Sequence, residues 1–236
     1  MEQTLIDTKE IRVSDISAWS IASVSNCASS EVYLMDCIAG MKHYPDKFFD
    51  LAVVDPPYGY ETEKTGILNF RMKAKEKEWN TAPTLEYFTE LVRVSKNQIV
   101  WGGNYFPCLW ELGGRCFIYW HKGNPVNNFA DGELAWTSFD RNAKQFDYRY
   151  YGNLEGKSSA SDKFHPTQKP IALYDWVYQN FSERGQRVLD THLGSGSSRI
   201  AANKAGLDFV GFEIDKDYFN ASEDRFKKFV SQTRLF

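Results

Sequence analysis

No two of the four cysteines, Cys27, Cys37, Cys108 and Cys116, stand in a C-x-x-C pair. The usual zinc spacing is therefore missing, and nothing suggests a disulfide framework; a reducing compartment and no metal are expected. Long apolar runs are missing too. None approaches a membrane span, and no charged-then-apolar leader opens the chain, so a soluble cytoplasmic protein with no membrane partner is expected. Charge of one sign is also lacking. Lys and Arg number 28 against 31 Asp and Glu, a net charge of -3. Any polyanionic partner would have to be met by a local basic patch rather than by the whole surface. There is no internal repeat.

What is present suits one large α/β domain. The chain has 236 residues, 42% of them hydrophobic, enough for a substantial core. A single domain over residues 1–236 is expected, with residues 1–30 only weakly patterned apart from a short strand at Ile11–Val13. Further strands are expected at Glu31–Leu34, Phe49–Val54, Gln98–Trp101, Cys116–Trp120, Glu133–Phe139, Gln145–Tyr151, Val188–Asp190 and Phe209–Phe212. Apolar residues at helical spacing predict helices over Thr84–Ser95, from Pro170 through Phe181, over Arg199–Ala205 and over Tyr218–Phe229, with a short one ending at Met41. Residues 59–80 are polar and carry Arg71, Lys73, Lys75 and Lys77. They read either as a functional loop or as a solvated charged helix. Residues 152–164 are rich in Gly and Ser and read as a loop.

Two stretches carry chemistry. The first is Asp55-Pro56-Pro57-Tyr58, directly after the buried run Leu51–Val54. The prolines cannot donate to a sheet ladder and push their predecessors to extended backbone, so the strand stops in a stiff turn. That turn lies at the carboxyl end of a strand, where open α/β sheets place ligands. It offers a carboxylate, a proline carbonyl and an aromatic face. Two acceptors and a ring suit a planar molecule with an exocyclic amine, although an isolated D-P-P can also be an ordinary turn.

The second is residues 188–215: strand, glycine turn, helix, strand and acidic residue. Gly194 and Gly196 permit a tight turn and close ligand approach. Glu213 ends the next strand, 17 residues after Gly196, where it could accept ribose hydroxyls. The third glycine of a dinucleotide fingerprint is absent, Ser197-Ser198-Arg199 standing there instead. No P-loop lysine follows either. A nucleoside without pyrophosphate, S-adenosylmethionine being the common one, fits better than a dinucleotide, against the plainer reading of a structural βαβ unit.

Together with His165-Pro166-Thr167-Gln168-Lys169-Pro170 and Gly211-Phe212-Glu213-Ile214-Asp215, these stretches resemble, in this order, the beta-class amino-group DNA methyltransferases. The resemblance spans roughly residues 31–230. It implies a Rossmann-like, doubly wound, seven-stranded, mostly parallel sheet in circularly permuted order, with one antiparallel strand near the edge. It implies S-adenosyl-L-methionine as cofactor and methyl transfer to N6 of adenine in double-stranded DNA, the target base being flipped out of the stack. Asp55, Pro56, Pro57 and Tyr58 would be catalytic and hold the base. Asp36, His165, Thr167, Gln168, Lys169, Asp190, His192, Gly194, Gly196 and Glu213 would hold the cofactor. Asp36 reads equally well as a helix N-cap. The family usually has phenylalanine where this chain has His192; a flat ring beside a sulfonium cation is expected to stay neutral.

Aspartate at the first position of the catalytic turn, rather than serine, resembles the adenine-N6 enzymes more than the cytosine-N4 ones. Residues 59–80 and 140–164, including Arg141, Lys144 and Arg149, are expected to contact DNA. A homodimer and a cognate restriction nuclease are expectations of the same resemblance. The competing readings are an N4-cytosine DNA methyltransferase, a methyltransferase of amides or RNA amines, a non-catalytic DNA- or nucleoside-binding relative, and a nucleotide-dependent dehydrogenase.

Overall fold

A computed structural model describes residues 28–59, 81–123, 130–150, 165 and 167–233. The expected strand at Ile11–Val13 and the basic residues Arg71, Lys73, Lys75 and Lys77 lie outside the described residues. In chain order the elements are β1 (Ser30–Leu34), α1 (Cys37–Met41), β2 (Phe49–Val54), α2 (Leu85–Val94), β3 (Ser95–Trp101), α3 (Pro107–Glu111) and β4 (Phe117–His121). There follow β5 (Gly132–Thr137), β6 (Lys144–Asp147), α4 (Ile171–Phe181), β7 (Arg187–Asp190), α5 (Ser197–Ala205), β8 (Asp208–Glu213) and α6 (Lys216–Thr233).

Among the described residues all strands join one sheet in the order β1-β8-β7-β2-β3-β5-β4-β6. β1, β8, β7, β2 and β3 run parallel; β5 is antiparallel to both β3 and β4, and β6 pairs parallel with β4. The sheet thus has eight strands, one more than the seven the resemblance implies. The extra one is β6, whose alternating residues extend the edge beyond β4 and whose end is fastened by Trp120 Nε1 donating to the Tyr148 carbonyl at 2.9 Å.

Both faces of the sheet are covered, which explains the near-continuous apolar runs of its central strands. Leu51, Val53, Ile99, Trp101, Val188 and Phe209 point to one face, against Leu173, Val177, Tyr178, Ala201 and Ala202 of α4 and α5. Ala52, Val54, Val100, Leu189, Val210 and Phe212 point to the other, against Met41 of α1 and Tyr87, Phe88, Leu91 and Val94 of α2. Strand β3 starts at Ser95, directly on the end of α2, three residues earlier than the sequence pattern suggests. Its polar start Ser95-Lys96-Asn97 hides it from periodicity; pairing of Ser95 with Phe49 and of Asn97 with Leu51 extends it. The helix over 107–111 and the 3-10 turn over 103–105 have no counterpart in the sequence reading. Both are too short for a periodic signal.

The chain order around the middle of the sheet positions the site. From β2 the chain moves outward to β3 on one side; from β7 it moves outward to β8 on the other. The reversal falls between the paired neighbours β2 and β7, and the carboxyl ends of strands at such a reversal form a crevice.

Candidate active site

The two stretches singled out from sequence face each other across that crevice. Asp55 follows β2 and Asp190 ends β7, and these strands are hydrogen-bonded through the register Leu51–Val188 and Ala52–Leu189. Pro56 is buried while Asp55, Pro57 and Tyr58 are partly exposed, so the turn presents its polar groups at the carboxyl end of a central strand.

Each oxygen of Asp55 has a partner. Oδ1 accepts the Tyr58 hydroxyl at 2.8 Å, and Oδ2 lies 2.5 Å from Lys169 Nζ. The Tyr58 ring lies against Gly102, where a Cβ would fall 2.1 Å from a ring carbon; Gly102 also has φ +67. Glycine is thus required twice over, for the left-handed turn and for the approach of the ring. Tyr105 and Phe106 pack on the ring at centroid distances of 5.0 and 6.1 Å. Burial and the neighbouring Asp55 carboxylate push the Tyr58 phenol well above its ordinary range, so it stays a donor.

Lys169, grouped by sequence with the cofactor segment, directs its ammonium towards the Asp55 carboxylate. Its ammonium also lies 3.1 Å from Glu133 Oε2 and 5.5 Å from the centre of the Trp101 ring. Burial alone would favour the neutral amine, but Asp55 and Glu133 outweigh it and raise the pKa. Glu133 is held at about 2 against its own burial by Lys169 and by Lys122, which bonds its other oxygen. Glu133 belongs to no motif, and sequence reasoning missed it. It reaches the crevice because β5 runs against its neighbours, so the start of β5 meets the carboxyl end of β3.

The glycine turn is built from the backbone of β7 outward. Gly194 and Gly196 have φ +50 and +69, and Gly196 is the N-cap of α5. Glu213 Oε2 accepts the Gly194 N–H at 2.8 Å and Oε1 the Asp215 N–H at 2.9 Å. Each oxygen keeps a further lone pair. Burial raises the pKa of this carboxylate even so. Asp190 is buried beneath the turn, accepting the His192 N–H at 3.0 Å and the Ser198 hydroxyl. Its burial pushes its pKa up to about 7.

His192 is half-buried and held down to about 4, desolvation outweighing Asp36. Its Nδ1 is 2.9 Å from Thr191 Oγ1, which is 2.7 Å from the Tyr87 hydroxyl, and the Tyr87 ring meets the imidazole edge-on at 5.4 Å. The imidazole is therefore neutral, as expected, with burial as the main cause.

The 165–170 segment reaches the same turn. The His165 ring is 3.5 Å from where a Gly194 Cβ would stand, packs edge-on against Tyr218 at 4.4 Å and lies 3.2 Å from Thr167 Oγ1 through Nδ1. Gln168 is buried and its N–H donates to the His165 carbonyl at 3.2 Å. Pro166 lies outside the described residues. Asp36, at the carboxyl end of β1, caps α1 through the Ala39 N–H at 2.9 Å and remains exposed. Arg141 stands apart from all of these. It follows the far end of β5, over the Phe181 ring at 3.9 Å and donating to the Asn180 carbonyl at 2.9 Å.

A glycine turn without Cβ atoms, two carboxylates at neighbouring strand ends and a neutral flat imidazole suit a nucleoside bearing a dispersed positive charge. Pyrophosphate would meet no lysine there. The crevice therefore has one half suited to such a nucleoside and another suited to an amine.

Residues 136–224 match a protein-family model described as DNA methylase. The type II methyltransferase M.HinfI of Haemophilus influenzae is 27% identical over 82% of this chain and 67% of its own length. Among solved structures, an M1.HpyAVI–SAM complex has a TM-score of 0.58 and 21% identity over 83% of this chain and 98% of that one. A cytosine-N4-specific PvuII DNA methyltransferase has a TM-score of 0.57 and 14% identity over 87% of this chain and 91% of that one. At those identities the two structures share the fold.

Proposed function

We infer, from the likeness of this chain to amino-group DNA methyltransferases, that it moves a methyl group from S-adenosylmethionine to the exocyclic N6 of adenine in DNA. The observation that carries the reading is the placement of Asp55 across the β2–β7 reversal from the glycine turn. An amine acceptor and a nucleoside pocket open into one crevice.

Bound S-adenosylmethionine supplies an electrophilic methyl group on a sulfonium. Gly194, Glu213 and His165 would hold it, with Asp36 at the rim and the neutral His192 offering an apolar face. An adenine amino group is a poor nucleophile because its lone pair is delocalised into the ring. Asp55 and the Pro56 carbonyl can each accept one of its N–H groups, which favours a pyramidal nitrogen with its lone pair free. The remaining contribution is positioning, which converts a slow encounter into a direct displacement. Tyr58 offers its face to the base once the base has left the duplex stack.

Aspartate as the first residue of the turn supports adenine over cytosine, since the resemblance pairs that residue with N6 transfer. We propose DNA as partner and a restriction-modification setting with a cognate nuclease; M.HinfI carries the name type II methyltransferase.

Asp55→Ala is expected to abolish transfer while calorimetry still finds S-adenosylmethionine bound within a few-fold of wild type. Near-normal turnover in that variant would sink the assignment. Mass spectrometry of nucleosides from methylated DNA decides the base: N6-methyldeoxyadenosine supports the reading, and N4-methyldeoxycytidine replaces it with the cytosine-N4 alternative.

A further inference from the structure

The charges beside the catalytic turn form an alternating row: Lys122, Glu133, Lys169, Asp55. Lys122 and Lys169 each engage a different oxygen of Glu133, and Lys169 reaches on to Oδ2 of Asp55. Lys169 is buried at 6% exposure, which no ammonium tolerates without partners. Here it has two carboxylates and the face of Trp101. The row enters the crevice on β5, whose start pairs Glu133 with Trp120 and brings Ala135 beside Trp101.

The two oxygens of Asp55 are not equivalent. Oδ2 is tied to Lys169, whose ammonium is enclosed between this carboxylate, Glu133 and Trp101. Oδ1 holds the hydroxyl of Tyr58, a neutral donor on the same short turn. A carboxylate free to rotate would present either oxygen to an incoming amine at varying angles. One pinned at Oδ2 presents Oδ1 alone, in a fixed direction. The Tyr58 hydroxyl sits where an N–H donor would sit, and it can leave without exposing a charge.

We propose that Lys169, braced by Glu133, is a positioning residue that pins Oδ2 of Asp55 and so aims Oδ1 at the target amine, with the Tyr58 hydroxyl as the placeholder the amine displaces. The assignment rests on the methyl-transfer reading above and adds residues to its acceptor side. It moves Lys169 from the cofactor half of the crevice to the amine half, and it gives Glu133 a part in the reaction.

The test compares wild type with Lys169→Met and Glu133→Gln, using duplex DNA and radiolabelled S-adenosylmethionine, with kcat and cofactor affinity measured separately. Lys169→Met is expected to lose about 100-fold in kcat, the scale of a misdirected reacting group. Calorimetric affinity for S-adenosylmethionine should stay within about threefold of wild type, a split that a merely structural role would not give. Glu133→Gln keeps the Lys169–Asp55 contact but loosens the brace on Lys169. It is expected to lose less in kcat, again with cofactor affinity near wild type. If Lys169→Met does not fold, Glu133→Gln carries the decision. An undiminished kcat in the variant that folds overturns the proposal, as does a selective loss of S-adenosylmethionine binding. Failure of the wild-type protein to methylate any DNA is a different result, seen in the control, and counts against the underlying function.

Discussion

At the scale of single residues, Asp190 and His192 are neighbours whose protons pull stability in opposite directions. Asp190 titrates near 7 in the folded protein against an ordinary 3.8. The folded state therefore holds its proton more tightly than the unfolded chain, and stability from this group is lost as pH rises from about 4 to about 7. His192 titrates near 4 against an ordinary 6.5. The folded state resists its protonation, and stability is lost as pH falls through that interval. Between about pH 4 and 6.5 the two slopes partly cancel. Removing one should uncover the other. Urea unfolding of His192→Phe is expected to show stability rising as pH drops from about 7 to about 5, and Asp190→Asn to show it falling more steeply than wild type. Parallel, unchanged slopes in both variants would contradict this account. Asp55, Gly194 and Glu213 were legible in the sequence because their signals are local: prolines after a strand, glycines where backbone must turn, an acid at the next strand end. Their burial was not legible, and burial sets the protonation of Asp190 and His192.

At the scale of elements, the loop after β3 supports the Asp55–Tyr58 turn after β2. A methyl group added at Gly102 would strike the Tyr58 ring and would also impose strain at φ +67. Gly102→Ala is expected to cost about 1–3 kcal/mol of stability from the backbone alone, and to lower kcat by displacing Tyr58 while S-adenosylmethionine binding stays near wild type. Equal stability and equal kcat in thermal unfolding and steady-state assays would show that the ring is not held there. The alternation of β5 was legible, but its direction was not. Nothing between Gly132 and Thr137 states that the strand opposes its neighbours, because direction follows from where the sheet has room. Glu133 was therefore invisible as a site residue, and Lys169 was placed with its sequence neighbours rather than with Asp55, 114 positions away.

At the scale of the whole molecule, a net charge of -3 leaves any grip on DNA to local basic groups. If phosphates are contacted by the basic segments, log affinity should fall linearly with log salt, with a slope of about -0.9 per phosphate neutralised. A flat response in fluorescence anisotropy would count against phosphate contacts. Arg141→Ala should leave the slope unchanged, since Arg141 is stacked on Phe181 at the end of the strands away from Asp55.

The pairing of β2 with β7 has a consequence in time as well as in space. Asp55 and Asp190 are 135 positions apart (190 - 55), and the register that joins their strands closes that whole interval at the centre of the sheet. Closing so long a loop costs entropy before the contact rewards it, so this pairing belongs among the slow steps of folding. A growing chain that has emerged only as far as β6 has β2 beside β3 but without β7, and the Asp55–Tyr58 turn faces no glycine turn. The two halves of the crevice thus meet in one event, when the last strands slide in beside a turn that was synthesised early and has been waiting.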